Sequence, residues 1–458
     1  MWHRYNSHFS TAQIRLHRRD LLKRAMIAGL SLTSAGSLLQ GCNTNTNAIK
    51  RSLNFANWAS AETATRSNID KALLAFEKQN NVQVNNIGMP FDEVLTQTTE
   101  LMHANITLDV MELSGNLPYV LAGKGALAAL DAFVARDWFQ DAFPESFAAG
   151  TYKGVLYAAP FSITPHGFWY NKNLLSAAKL DPTRPPRLMS ELNEMLALLR
   201  AKLPANSYPL GLDTSATEYA LIGFWPWIWT FGGNPLADAG YGKVIINWAD
   251  DGTVAAFQWL QEAIQKRWSP PDLAIKAERA LMAEEKLVFK LDGPYLTGIL
   301  GSLNPDFSTV QQVNETFGVT TTPRGPRLIQ AVTCADIHNL SIAATASNKN
   351  LAWNLINFLT TSPEVITTFL IPEGGMLPRK SYDTRARLYS RFYADAISQA
   401  FIQKIIPTMR PPVFGPQYSN AAQAVVTALQ EISHGATVKP RLLALTDEVK
   451  AIYAQYVL

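Results

Sequence analysis

The chain has 458 residues, 47% of them hydrophobic and 17% charged, a balance that describes a folded globular protein and excludes a disordered one. At that length one to three domains are expected. The formal charge of +3 is misleading, because six basic residues (Arg4, Arg15, Arg18, Arg19, Lys23, Arg24) and one acid, Asp20, precede Cys42; subtracting that net +5 from +3 leaves −2 for the remainder, and nothing argues for nucleic acid as a partner.

The first element is a leader. An apolar stretch from about Ala25 to Leu39 is too short to span a bilayer permanently, and it ends Leu38-Leu39-Gln40-Gly41-Cys42. A small residue before Cys after a run of Leu resembles the lipobox of bacterial lipoproteins. Arg18-Arg19, followed by Leu21-Leu22-Lys23, resembles a twin-arginine export signal. These resemblances imply cleavage before Cys42, acylation of its sulfur and of the new amino terminus, and anchoring at the periplasmic or outer face of the plasma membrane by several acyl chains, where one would be marginal. Residues 1–42 then form the export signal and 43–50, polar and without apolar periodicity, a tether. Cys334 reads as a small buried hydrophobe, so no disulfide is expected.

After the tether, short apolar runs alternate with helical periodicity. Leu53 to Trp58 is a strand candidate. Asn68 to Gln79 places Ile69, Leu73, Leu74 and Phe76 at helical spacing, and Val82 and Val84 alternate with polar neighbours as in a strand that exits over Ile87 to Pro90. Val94 to Ala104 is a second helix candidate, Leu108 to Leu113 a buried strand, and Leu117 to Leu127 another helix. Strand-helix-strand-helix order predicts parallel crossovers in an α/β sheet. Farther on, Ser190 is placed to cap the helix beginning Glu191-Leu192, with Glu191 near its positive end. Ala352, Leu355, Ile356 and Leu359 form an apolar stripe over Asn348 to Leu359, and Ser362-Pro363-Glu364 starts a further helix.

Five stations recur in an order that resembles the family 1 bacterial extracellular solute-binding proteins, the maltose- and sugar-binding group. They are Leu108-Asp109-Val110 with Gly123-Lys124-Gly125-Ala126-Leu127; Gly154 to Pro160 with Tyr170-Asn171-Lys172; Leu281-Met282 with Asp292-Gly293-Pro294-Tyr295; Ser347-Asn348-Lys349 with Ala352-Trp353 and Phe358 to Ser362; and Gly374 to Pro378. Two departures stand out: Ala335 to Ser341 lies where many relatives carry a Gly-Gly pair, and Leu287 to Leu291 is bulkier than usual. The resemblance implies an α/β, two-lobed periplasmic-binding-protein fold, each lobe a sheet flanked by helices, hinged by two or three crossovers. Lobe 1 would comprise 51–163 and 330–375, and lobe 2 would comprise 164–329 and 376–458. It implies a protein that closes on a small carbohydrate or polyol and hands it to the permease subunits of an ABC importer; nothing in the sequence suggests more than a monomer.

A sugar presents C–H faces that stack on aromatic rings and hydroxyls that donate and accept together. Trp225, Trp227 and Trp229 put three indoles in five residues, and at least one of them is expected to line the cleft, because a helix cannot bury all three on one face. Trp58 ends the first strand at the carboxyl edge where open α/β sheets bind ligands, and Tyr295 follows the Gly293-Pro294 turn where relatives place a Trp under the sugar. Tyr418 aligns loosely with a further aromatic contact. Glu112 and Ser114 share the edge of Trp58; Glu112 is a hydroxyl acceptor or a solvated loop acid. Thr164 matches a position that contacts ligand from the first crossover. Asp292 and Asp336 each take a hydroxyl pair or cap a helix. Arg410, in Met409-Arg410-Pro411-Pro412, belongs near the cleft or to the surface of the second lobe.

Enzyme and metal signatures are absent from the sequence. Ser176-Ala177-Ala178-Lys179 has serine-lysine spacing without the companion motifs, no His-Glu-x-x-His occurs, and Asp336 with His338 lacks a third ligand. Neither a metal nor another cofactor is expected. The readings left open beside sugar capture are a binding protein for phosphorylated glycerol, a polyamine or iron, and an exported glycoside hydrolase with two carboxylates.

Overall fold

A computed structural model describes residues 51–89, 97–98, 100–101, 107–115, 117–238, 244–326, 328–334, 336–372, 374–379, 394–410 and 418–454. The leader with Cys42, the tether, most of the helix expected over Val94–Ala104, Ala335 and Pro411-Pro412 lie outside them. No helix among the described residues is long and apolar enough to cross a membrane.

Strand β1 (Arg51–Asn57) and strand β2 (Val82–Gly88) pair in parallel, and helix α1 (Thr63–Asn80) carries the chain between them. Ile69, Ala72, Leu73 and Phe76 of α1 are buried, the three- and four-residue spacing that puts one stripe against a sheet. Asn81 ends the helix at φ 48, a left-handed conformation that Asn tolerates better than most residues. Strand β3 (Val110–Ser114) lies parallel to β1 on its other side. It begins two residues later than the apolar pattern suggests, because Asp109 is occupied in accepting the Asn54 N–H at 2.9 Å. Helix α2 (Leu117–Gly123) ends short of Leu127, which instead bridges to Ala343. Strand β4 (Ala158–Ile163) is buried along its whole length.

The next elements build a second sheet. Strand β5 (Gly167–Asn171) turns Phe168 and Tyr170 into one apolar core and Trp169 into another, the period-2 alternation of a sheet covered on both faces. Helix α3 (Met189–Lys202) is not capped by Ser190. The Glu191 carboxylate accepts from the N–H groups of Arg187 at 2.7 Å and Leu188 at 3.1 Å, so the acid in the first turn serves the donors that the Ser190 side chain, one position earlier, does not meet. Strand β6 (Tyr208–Leu210), helix α4 (Tyr219–Thr230), helix α5 (Asp251–Gln265), helix α6 (Ile275–Ala283), strand β7 (Leu287–Asp292), helix α7 (Leu296–Leu303) and strand β8 (Phe317–Thr320) follow.

Strand β9 (Thr333–Cys334), strand β10 (Ile337–Ile342), helix α8 (Lys349–Thr361), strand β11 (Met409–Arg410), helix α9 (Tyr418–Ser433) and helix α10 (Val438–Ala454) complete the chain. Asn348 caps α8 by accepting from Leu351 N–H at 3.0 Å, and Leu351, Ala352, Leu355, Ile356 and Leu359 are buried. The first sheet has the order β2-β1-β3-β10-β4, with β10 antiparallel to both neighbours, and the second β8-β5-β7-β6. The first is therefore mixed where the sequence predicts parallel pairing, because β10 returns from the second sheet instead of through a local helix.

One apolar core joins the first sheet to one face of the second, through Trp169, Leu287, Phe317 and Val319, and a separate core covers the other face of the second sheet; three backbone segments pass close together between the sheets. Thr164 N–H donates to the Asp336 carbonyl at 2.8 Å, Ile163 N–H to the Met376 carbonyl at 2.8 Å, and Met376 N–H back to Ile163 at 3.2 Å. Cys334 is buried in β9.

Candidate functional site

Where β1 and β3 end together, three side chains meet. Trp58 follows β1, Glu112 lies on β3, and the antiparallel register brings His338 of β10 opposite Ser114. Trp58 Nε1–H points at Glu112 Oε1 at 2.6 Å and at His338 Nδ1 at 3.1 Å, and that Nδ1 is also 3.1 Å from the same carboxylate oxygen. The indole and imidazole rings meet edge to face, 5.9 Å apart. Burial pulls the His338 pKa down, but the Glu112 hydrogen bond and the Asp336 charge outweigh it, so its net shift is upward. Glu112 is buried while Trp58 and Ser114 are half-buried. Trp58 thus keeps part of its ring open while its N–H is held by the sheet edge.

The second sheet offers a matching edge. At the end of β7 the Asp292 carboxylate accepts from Arg279 Nε at 2.9 Å, Arg279 Nη2 at 3.0 Å, Lys290 Nζ at 2.7 Å and Gly293 N–H at 2.8 Å. Burial alone would raise its pKa; the two cations outweigh that and hold it well below the carboxylate range. Four donors leave no lone pair for a ligand hydroxyl. Asp292 is therefore an anchor for Arg279 in place of the expected open acceptor. Arg279 in turn lies over the Tyr295 ring, 5.2 Å from its centroid. Gly293 permits this geometry, because a Cβ there would come within 2.3 Å of the Tyr295 ring. The Tyr295 hydroxyl meets that of Tyr219, the first residue of α4, at 2.8 Å, and burial raises both phenol pKa values.

Between these edges run two crossover segments, one carrying Thr164 and His166 and the other Asp336. Thr164 donates both its N–H and its hydroxyl (3.2 Å) to the Asp336 carbonyl. The buried Asp336 carboxylate has one oxygen, Oδ1, without a hydrogen-bond partner, and His166, 1% exposed, has none at either ring nitrogen. Burial is the main reason the His166 pKa falls, against the pull of Asp292 and Asp336, so the ring is neutral and offers one donor and one acceptor. Its ring lies 6.3 Å from that of Tyr219. Asp336 acts electrostatically on His338 on one side and on His166, Tyr219 and Tyr295 on the other. It is the group common to both sheet edges.

Trp58, Glu112, Ser114, Thr164, Asp336, Gly293 and Tyr295 are thus brought to one region. The three indoles of α4 are not open to it. Trp225, Trp227 and Trp229 are 3%, 1% and 2% exposed. Trp225 stacks on Trp229 at 5.6 Å and leans on Trp248, while Trp227 packs on Trp259 at 4.8 Å and on Phe168. The three rings do face different ways, but α4 is covered on several sides, by β9, α5 and α9 and by Phe168 of β5, so different ways are all inward. Trp227 borders a cavity of about 20 Å3 shared with His166, Tyr219 and Glu278. Arg410 covers Trp229, its guanidinium 4.8 Å from the ring centroid. The side chain of Tyr418 lies outside the described residues. Among the described residues no group of three or more His, Cys, Asp or Glu is arranged to hold a metal ion.

The sequence did not single out Arg279, Tyr219 or His166. Arg279 looks like a surface residue of a charged helix, and Tyr219 is overshadowed by the indoles after it. His166 had a usable signal, since it stands two residues beyond Thr164 on the same crossover.

A model of the family described as bacterial extracellular solute-binding protein matches residues 71–388. The maltotriose-binding protein of Pyrococcus abyssi is 23% identical over 260 residues, which are 55% of this chain and 51% of that protein, so the match spans about half the length of the curated relative. An ABC transporter solute-binding protein of Thermotoga lettingae, solved with alpha-D-tagatose, superposes with a TM-score of 0.74 at 20% identity, covering 88% of this chain and 99% of that one. Maltose-bound MalE3 of T. maritima gives 0.73, also at 20% identity, with 88% and 99% covered. The architecture is that of a two-lobed periplasmic binding protein.

Proposed function

Because the chain belongs to the bacterial extracellular solute-binding proteins, we propose that it captures a neutral sugar, oligosaccharide, glycoside or polyol between its lobes and delivers it to an ABC importer. One observation carries the reading. Asp336, on the crossover, keeps a buried carboxylate oxygen unpaired beside a neutral histidine with both ring nitrogens unpaired. Such atoms are costly to bury alone; both residues are closed to solvent here, and a vicinal diol admitted when the lobes open would supply the donors and acceptor that they lack. The half-buried rings of Trp58 and Tyr295 supply stacking faces, and Glu112, Ser114, Thr164 and Tyr219 complete a rim of hydroxyl partners. Arg279 and Lys290 are engaged by Asp292 and Glu278, which favours a neutral ligand over a phosphorylated one.

Lobe 1 is assigned to 51–163 and 330–375 and lobe 2 to 164–329 and 376–458, with closure about the crossovers. The protein is exported and held at the membrane by lipidated Cys42, and it binds without turning its ligand over. The test is a thermal-shift screen of sugars and polyols, beginning with maltose, maltotriose and tagatose, followed by Trp fluorescence. A ligand at 100 times its Kd adds about 2.7 kcal/mol of stability. No shift with any carbohydrate, together with a shift for a polyamine or a phosphorylated glycerol, overturns the sugar reading; release of product from a chromogenic glycoside overturns the non-enzymatic one.

A further inference from the structure

Arg410 lies on β11, opposite Cys334 of β9. Its guanidinium lies on the Trp229 indole, itself stacked with Trp225, and one N–H donates to Asn234 Oδ1 at 2.7 Å. Among the described residues no carboxylate pairs with it, and burial alone accounts for the fall in its pKa. A half-buried cation without a counter-ion carries a desolvation cost that an anion would offset. The same guanidinium borders a cavity of about 670 Å3, within the roughly 300–1,000 Å3 typical of small-molecule sites. Its walls are largely apolar, from Leu328, Val332, Pro407 and Met409, with Gln330 and Thr408 as the polar exceptions and Ile329, 94% exposed, at its rim.

We propose that this cavity is a second small-molecule site, separate from the sugar cleft, which takes a planar carboxylate carried on an apolar body. The planar guanidinium, with four N–H groups left after Asn234, matches a carboxylate bidentately. Arg410 is the one cation among the described lining residues, so a monoanion balances it where a phosphate dianion would not. The apolar walls then cover the rest of the ligand.

The test uses benzoate and indole-3-acetate as probes, with benzamide and indole-3-acetamide as neutral counterparts, followed by calorimetry on the whole protein with and without a saturating sugar. Both carboxylates are expected to bind and neither amide. Arg410→Gln should weaken carboxylate binding at least about tenfold, the loss expected for a charge-assisted bidentate pair, while Tm and the sugar response stay as in the parent. Arg410→Lys, which keeps the charge but not the fork, should lie between the two. Equal binding of amides, no binding at millimolar carboxylate, or an Arg410→Gln variant that binds as the parent does overturns the proposal. Displacement of the carboxylate by sugar also overturns it, since the cavity would then be part of the cleft. Binding of inorganic phosphate alone overturns the assigned ligand class. The carboxylate arm needs no sugar, so its failure and that of the sugar reading are read separately.

Discussion

The hydroxyls of Tyr219 and Tyr295 meet at 2.8 Å across 76 residues of sequence, linking the start of α4 to the turn after β7. Tyr295→Ala should weaken sugar binding at least about tenfold, the scale of a lost aromatic platform, without unfolding the protein. Tyr219→Phe keeps the ring and removes one hydrogen bond, so a smaller loss of about 0.5–1.5 kcal/mol is expected. Calorimetric Kd values beside Tm distinguish the cases; a collapse of Tm in Tyr295→Ala would assign that ring to the core.

Gly293→Ala places a methyl 2.3 Å from the Tyr295 ring, so the ring must swing away from Arg279. The expected cost is about 1–3 kcal/mol of stability together with weaker ligand binding. Gly298→Ala is the comparison. Its Cβ meets nothing within 4 Å, it lies in the helix Leu296–Leu303, and a gain of about 0.5–1 kcal/mol with unchanged binding is expected. Equal effects on binding would remove the argument for Gly293.

Burial pushes the Glu278 pKa up to about 7, against the pull of Lys290 at 3.2 Å. An unfolded glutamate titrates near 4.3. Between those values the folded protein keeps a proton that the unfolded chain releases, so stability falls as pH rises from about 4.5 to about 7. Glu218, also raised to about 7 by burial, adds to the same slope. Asp292, shifted downward, loses its stabilising effect only as pH falls below about 4. Glu278→Gln should flatten the upper stretch of a stability curve measured by urea unfolding; a slope identical to the parent's would place the proton elsewhere.

If acyl chains on Cys42 hold the protein at the membrane, as proposed, Cys42→Ala should release it from the membrane fraction. Fractionation and mass spectrometry of the parent read the outcome. An unmodified Cys42 in a membrane-bound parent would rule out the lipid anchor.

Much of this architecture was legible in advance because short apolar runs and three-four spacing report burial directly, as in β1, α1 and α8. Trp58 and Glu112 were legible for a topological reason, since carboxyl ends of parallel strands converge. Tyr295 was legible through its Gly-Pro turn. The indoles of α4 were misjudged because periodicity tells which way a ring points but not whether another helix waits there. Asp292 likewise looks open until Arg279 and Lys290, brought in by α6 and β7, fill its lone pairs.

The three connecting segments are laced to one another by Thr164–Asp336 and by the reciprocal Ile163–Met376 pair. Cords joined side by side bend readily as a ribbon but resist being twisted or slid past each other. If the two proposed lobes close about these segments, they would turn on a single axis, and Asp336, fastened in that ribbon, would swing its carboxylate with the flexion.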